Sequence, residues 1–323
     1  MSFVQVDNLS RSFGDVHAVR DMSFSFEAGE IFGFIGPNGA GKSTTMRILA
    51  TLDLPSTGDC SIAGLSTVDD ADRVRHMIGY MPDNYGTYPN MSVWEYLDFF
   101  ARSYKLRDPA RKRAVDDVVD FCQLGDLQEK LITTLSKGMK QRLCLGRCLI
   151  HDPKLLILDE PSAGLDPRAR IEFRALLRLL AKQGKAIFIS SHILAELEEL
   201  CDGVAIIEQG RMVRSGRVGD IKASVSAAME ERATAEPTKH TTVLEIRLVQ
   251  AHERAAIILA EQPELTQVSI EHTLITAHCS GGAAVQAALL KRLIDAGLSI
   301  SSYSGRKQNL EDLFMHLTEG KVQ

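Results

Sequence analysis

Residues 3–35 alternate apolar and polar positions in the short runs FVQV, AVRDMSFSF and EIFGFI, a period of two that predicts strands. A glycine-rich loop follows, and TMRILATL beyond it has helical spacing. From Val93 the period changes. Val93, Leu97, Phe100, Ala101 and Tyr104 share one helical face, and Val115, Val118, Val119 and Cys122 share another. This spacing predicts a mostly helical insert over about residues 90–134. Strands and helices then alternate: LLILD (155–159), a helix near 168–182, AIFIS (186–190), a helix near 193–200 and VAIIE (204–208). Such alternation predicts an α/β fold with a largely parallel sheet covered by helices.

The pattern is interrupted at residues 221–241, where SVSAAMEERATAEPTKHT is small and polar with no period that calls for a core. This segment reads as a linker between a first domain at 1–220 and a second at 242–323. In the second, VLEIRLV, ERAAIILAE, VSIEHTLITAHC, AVQAALLKRLIDAG and LSISSY predict β-α-β-β-α-β, a small α+β unit. A final helix is expected at NLEDLFMHLTEG.

Composition adds limits. A chain of 323 residues has room for one large domain and a smaller one. Its net charge of −5 provides no global basic field for nucleic acid or anionic lipid, so no nucleic acid is expected as partner. No run approaches the roughly 18 apolar residues of a membrane span. The start MSFVQVDNLS lacks the basic-then-apolar pattern of a secretory signal. Any service to a membrane is therefore expected through a partner. The six cysteines, at 60, 122, 144, 148, 201 and 279, form no CxxC pair. Cys144 and Cys148 are spaced to share a helix face, but two thiols make a poor metal site, so reduced buried thiols are expected.

Residues 36–43, Gly-Pro-Asn-Gly-Ala-Gly-Lys-Ser, form G-x-x-x-x-G-K-S between a predicted strand and a predicted helix, the setting of a phosphate-binding loop. A polyphosphate needs several donors aimed inward, and backbone N–H groups supply them. Gly39 and Gly41 let the chain approach without a Cβ, and the helix beginning near Lys42 presents its positive end. Lys42 is expected to reach the β- and γ-phosphates, and Ser43 to ligate Mg2+. Ligands of open α/β sheets sit beyond the C-terminal strand ends. At one such end stands Asp159, placed to hold Mg2+ through water, followed by Glu160, placed to orient or deprotonate an attacking water. At another stands Ser190-Ser191-His192, where His192 can donate to a γ-phosphate.

LSKGMKQR at 135–142, shortly before the Asp-Glu strand, completes a pattern that resembles the ABC transporter ATPases. GPNGAGKST (36–44) matches the family's Walker A loop, GYMPD (79–83) its glutamine loop and LSKGM (135–139) its signature. LLILDEP (155–161) matches Walker B, SAGLDP (162–167) the D-loop and SSH (190–192) the switch histidine. The resemblance covers residues 1 to about 220, with every station in order. It implies a P-loop NTPase fold of ABC type with a helical insert, an ATPase using ATP and Mg2+, and a head-to-tail homodimer that closes on ATP. Gly36, Asn38, Gly39, Gly41, Lys42, Ser43 and Thr44 would bind nucleotide within one subunit. Ser136 and Gly138 would bind the γ-phosphate of the other, and Asp166 would connect the two sites. Phe13 matches the aromatic residue that stacks on adenine.

The match departs from the pattern at Asp83, which replaces the usual glutamine, so the direct amide contact does not carry over. A shorter, charged side chain there could approach Mg2+ through water, and acidic residues at this place look like those of some drug- and polysaccharide-exporter ATPases. Lys137 and Met139 also replace Gly and Gln, while Ser136 and Gly138 are kept. The C-terminal region resembles the extension of daunorubicin-resistance-type exporter ATPases, whose permease is a separate chain; an unrelated dimerisation or regulatory module is the alternative. The resemblance thus implies an exporter motor, peripheral on the inner face of the cell membrane. Its stroke would pass through the insert and the Asp83 loop, with Tyr88-Pro89 and the helix from Val93 to Tyr104 as candidate docking surface. Alternatives are a soluble ABC ATPase acting on nucleic acid or ribosomes, and a non-hydrolysing nucleotide switch.

Overall fold

The computed structural model describes residues 2–84, 86, 88, 90–221, 241–251 and 255–306. Most of the expected linker (222–240), the expected final helix (309–320) and Pro89 lie outside the described residues. The chain divides into two compact units, one running to Val218 and one beginning at Gly219.

The first unit starts as a hairpin. Strands β1 (Val4–Phe13) and β2 (Val16–Phe26) pair antiparallel, so β1 runs well past the apolar FVQV, through the polar NLSRS. Register shifts near Leu9 and a left-handed Asn8 (φ 47) absorb that polar stretch. With β4 (Thr57–Ile62) and β5 (Leu65–Ser66) the hairpin forms a four-stranded antiparallel sheet ordered β2-β1-β4-β5. The expectation of a largely parallel sheet did not include this layer. Its strands carry polar residues on their open face, and only pairing across the sheet selects the register.

The second sheet is ordered β10-β9-β3-β8-β7-β6 and has the expected parallel core. The parallel strands are β3 (Ile31–Ile35), β6 (Ile78–Met81), β7 (Leu155–Leu158), β8 (Ala186–Ser191) and β9 (Gly203–Glu208). The edge strand β10 (Arg211–Arg217) runs antiparallel to β9. Every residue of β3, β7 and β8 is buried, as a strand covered on both faces requires. Between the sheets Phe24, Phe26, Phe32 and Phe188 stack with centroids 4.9–6.2 Å apart. Each ring taken out of water contributes about 1.5–3 kcal/mol.

The helices of this unit are α1 (Lys42–Leu49), the short α2 (Ala71–Arg75), α3 (Val93–Ser103), α4 (Ala110–Phe121), α5 (Lys137–Leu149), α6 (Pro167–Lys182) and α7 (Leu194–Leu200). Helix α1 stops at Leu49 instead of carrying on through Leu52, because Thr51 turns left-handed (φ 58) and Leu52 N–H closes back on the Arg47 carbonyl at 2.8 Å. Helix α3 opens on a capping box: Ser92 Oγ accepts from Glu95 N–H, and Glu95 accepts from Ser92 N–H at 2.8 Å. Its Val93, Leu97 and Ala101 are buried together with Tyr96, and Val115, Val118 and Val119 bury one stripe of α4.

The second unit contains β11 (Thr241–Leu248), α8 (Ala255–Ala260), β12 (Leu265–Glu271), β13 (Leu274–Ser280), α9 (Ala283–Asp295) and β14 (Ile300–Arg306). Its strands form one antiparallel sheet ordered β12-β13-β11-β14, a split β-α-β arrangement. Leu244, Ile246, Ile275 and Ala277 share its core with Leu259, Leu289 and Leu293 of the helices.

Candidate active site

Strand β3 ends at Ile35, and the loop of Gly36–Gly41 leads directly into α1. Gly41 precedes the helix with φ 99, and a Cβ there would lie 2.4 Å from the Ala18 carbonyl oxygen. A Cβ at Gly36 would lie 2.5 Å from the Ile207 carbonyl oxygen. The loop is thus wedged between β2 and β9, and its curvature aims the first N–H groups of α1 into a cavity of about 400 Å3. Lys42 folds back over the loop, donating from Nζ to the Gly36 carbonyl at 2.6 Å and the Pro37 carbonyl at 3.2 Å. It is 7% exposed, and burial lowers its pKa against the opposing pull of Glu160 and then Asp159.

Two other strand ends meet this loop. Asp159 follows β7 and is buried, with Oδ1 accepting from the Ser190 hydroxyl at 2.6 Å. The same Ser190 Oγ accepts from Glu160 N–H at 2.8 Å, so one serine at the end of β8 sets both acids. Glu160 stands in a left-handed conformation (φ 49), which turns its carboxylate toward the loop. One oxygen, Oε1, lies 3.8 Å from Lys42 Nζ, and the other, Oε2, lies 2.8 Å from His192 Nδ1. Lys42, Glu160 and His192, far apart in the chain, are therefore brought to one place. Ser190 was quoted in the sequence pattern without a role, although a hydroxyl at a strand end is a visible signal. Gln141 also escaped notice: it is buried in α5, and its Nε2 donates to the Pro161 carbonyl just past Glu160.

The cavity is lined by Asn38, Gly39, Gly41, Lys42, Ser43 and Thr44 and by Asp83, Asp159 and Glu160. Its donors suit a polyphosphate. The Ser43 hydroxyl and the Asp83 and Asp159 carboxylates are hard oxygen ligands that suit Mg2+. Among the described residues no group of three or more His, Cys, Asp or Glu could hold a metal by itself, so a cation here would share phosphate and water oxygens. Asp83 also lines a smaller adjoining cavity of about 190 Å3 with Lys137, Gln141 and Glu160.

Other candidates stand apart from the cavity lining. Ser136 caps α5, its Oγ accepting from Met139 N–H at 3.3 Å, and Asp166 caps α6, accepting from Ala169 N–H at 2.9 Å. Gly138 lies against Ala169, so signature and D-loop segments abut; a Cβ at Gly138 would stand 3.3 Å from the Ala169 Cβ. Neither Ser136, Gly138 nor Asp166 lines the phosphate cavity. Phe13 also lies outside the lining. It is 47% exposed at the end of β1, with the Arg11 guanidinium 4.4 Å from its ring centroid. The wall on that side comes instead from Val16 and Ala18 of β2.

The sequence profile of the family described as "ABC transporter" matches residues 19–163. The chain is 32% identical over 315 residues to the Nod factor export ATP-binding protein I of Rhizobium meliloti (strain 1021), covering 98% of this chain and 88% of that one. It is 28% identical over 317 residues to the linearmycin resistance ATP-binding protein LnrL of Bacillus subtilis (strain 168), covering 98% of each. Among solved structures it is similar to cbiO1 from Clostridium perfringens, described as part of the ABC transporter complex cbiONQ. That match has a TM-score of 0.63 and 27% identity, covering 73% of this chain and 95% of that one.

Proposed function

The chain belongs to the ABC transporter family of ATP-binding proteins and is an ATPase; from that premise we propose that it drives a membrane exporter, closing on ATP as a head-to-tail homodimer and acting on a separate permease. The observation that carries the hydrolytic part is the meeting of Lys42, Glu160 and His192 beside a glycine-walled cavity. The loop N–H groups and the N-terminus of α1 hold the phosphates, and Lys42 exchanges its carbonyl partners for β- and γ-phosphate oxygens. Bound Mg2+, held by the Ser43 hydroxyl and through water by Asp159, would neutralise charge on those oxygens. Glu160 accepts the proton of the attacking water. His192 orients the Glu160 carboxylate and donates to the γ-phosphate. Most of the acceleration comes from such positioning and charge neutralisation.

The dimer is supported by the placement of Ser136 and Gly138, whose donors lie outside their own subunit's cavity and so await a partner's phosphate. Export is supported by two relatives whose names refer to Nod factor export and to linearmycin resistance. A separate permease is supported by the described residues, in which no helix is long and apolar enough to cross a membrane. Its docking place is proposed at a 680 Å3 groove beside α3, with Leu52, Arg75, Tyr80, Phe100, Tyr104 and Arg147 in its wall. Through that contact the protein would sit on the inner face of the cell membrane.

Glu160→Gln tests the reading. Hydrolysis should fall by about 10²–10⁴-fold, while ATP is still bound and a closed dimer accumulates on size-exclusion chromatography. Normal phosphate release by this variant would remove Glu160 from the mechanism.

A further inference from the structure

Helices α6 and α7 are joined by ion pairs of two kinds. The outer pair is ordinary: Arg174 meets Glu199, whose carboxylate is 65% exposed, and Arg178 reaches the Glu199 carbonyl. Exposed pairs of this kind hold helices together weakly. The inner pair is different. Arg170 Nε lies 2.7 Å from Glu196 Oε1, and the Glu196 side chain is only 8% exposed. The approach is oblique, so charge more than a straight hydrogen bond holds it. Burial raises the Glu196 pKa, and Arg170, Arg174 and His192 work against that rise.

What surrounds the inner pair gives it a purpose. Arg170 also donates from Nη2 to the Leu165 carbonyl at 3.3 Å, and Leu165 immediately precedes Asp166, the cap of α6. Glu196 lies in the first turn of α7, its N–H bonded to the Ile193 carbonyl at 3.2 Å. Ile193 directly follows His192, whose Nδ1 meets Glu160 Oε2 at 2.8 Å. A continuous chain of contacts therefore runs from the Leu165–Asp166 turn through Arg170 and Glu196 to the base of α7, and on to His192 and Glu160. A buried carboxylate is costly to desolvate, and stapling two helices does not require one.

We propose that Arg170 and Glu196 are positioning residues for hydrolysis, a buried strut by which the seat of the Leu165–Asp166 turn sets His192 against Glu160. This rests on the reading of Glu160 and His192 given above. When a closing partner presses the turn, the strut moves the base of α7 with it and aligns His192. When the turn is loose, His192 is loose too. Such a contact acts on the chemical step and leaves nucleotide binding, which belongs to the loop before α1, unchanged.

The test is a double-mutant cycle on the full chain, with kcat and KM for Mg-ATP hydrolysis and the thermal midpoint measured together. R170M and E196Q should each lower kcat about tenfold with KM within about twofold, and R170M/E196Q should fall no further than the worse single variant. The double variant also leaves no buried charge alone, so it stays interpretable if a single variant folds poorly. R170K keeps the charge beside Glu196 but not the fork to Leu165, and should recover part of the lost kcat. E199Q, which breaks only the outer pair, should lower the thermal midpoint and leave kcat unchanged. The proposal is overturned if both singles keep kcat within about twofold, if the losses multiply to about a hundredfold in the double variant, or if E199Q loses kcat equally. Turnover by Glu160→Gln would strike the proton acceptor instead, and the strut would still be judged by non-additivity in kcat.

Discussion

The two units have cores of the same kind and differ in what they bury beside them. In the first, Lys42, Asp159, Ser190, Gln141, Glu196 and Asp98 are buried polar or charged groups; Lys42 and Asp159 line the phosphate cavity, Ser190 bonds Asp159, and Gln141 lines the smaller cavity beside it. In the second, among the described residues, His278 is the one buried polar side chain, and the interior is mostly Leu, Ile and Ala, with Val243 and Cys279. A protein buries a charge at a cost, so where several are buried together they mark the place where chemistry is done. An apolar interior of the second kind holds a shape and needs no bound phosphate to explain it.

Three substitutions sharpen or break that contrast. Lys42→Ala should have the largest effect on nucleotide. It removes a charge-assisted donor worth about 1.5–3 kcal/mol, so affinity for ATP should weaken by roughly 10- to 100-fold in a fluorescent-nucleotide titration. An unchanged affinity would mean that the loop does not hold phosphate. Ser190→Ala should come next. It deprives Asp159 Oδ1 and Glu160 N–H of their shared partner, so unfolding free energy should drop by about 1–3 kcal/mol and kcat by about tenfold. If denaturant melts show the loss of stability without any loss of rate, the serine supports the fold alone. Leu289→Ala, in the core of the second unit, should cost that unit about 2–5 kcal/mol while kcat of ATP hydrolysis stays within about twofold. A collapse of hydrolysis in this variant would show that the two units are not separable in function.

Much of the cleft was legible because its residues carry their chemistry in their spacing. Gly36 to Ser43 marks the passage from a strand through a loop into a helix, and Asp159-Glu160 and Ser190-Ser191-His192 each stand at the end of a short apolar run of strand length. Ser190, Gln141, Arg170 and Glu196 were harder to see, since a serine, a glutamine or an ion pair has no signature until its partner is adjacent. Val16 and Ala18 were invisible for another reason: they line the cavity only because the antiparallel hairpin folds β2 against the loop. The polar middle of β1 concealed that hairpin, because strand pairing across a sheet is a long-range choice.

Local pattern thus determined most of the elements and which residues are candidates for the site, because hydrophobic period, turn chemistry and the phosphate loop are written within about ten residues of chain. Only the tertiary structure decided that the Glu160 carboxylate lies between Lys42 and His192, and that one serine serves two acids. Those contacts join residues more than thirty positions apart in several cases, such as Glu160 to His192 and Lys42 to Glu160. Their geometry is set by how parallel strands pair and by which side chains must fill the space between sheets, and neither is a property of any short stretch of sequence.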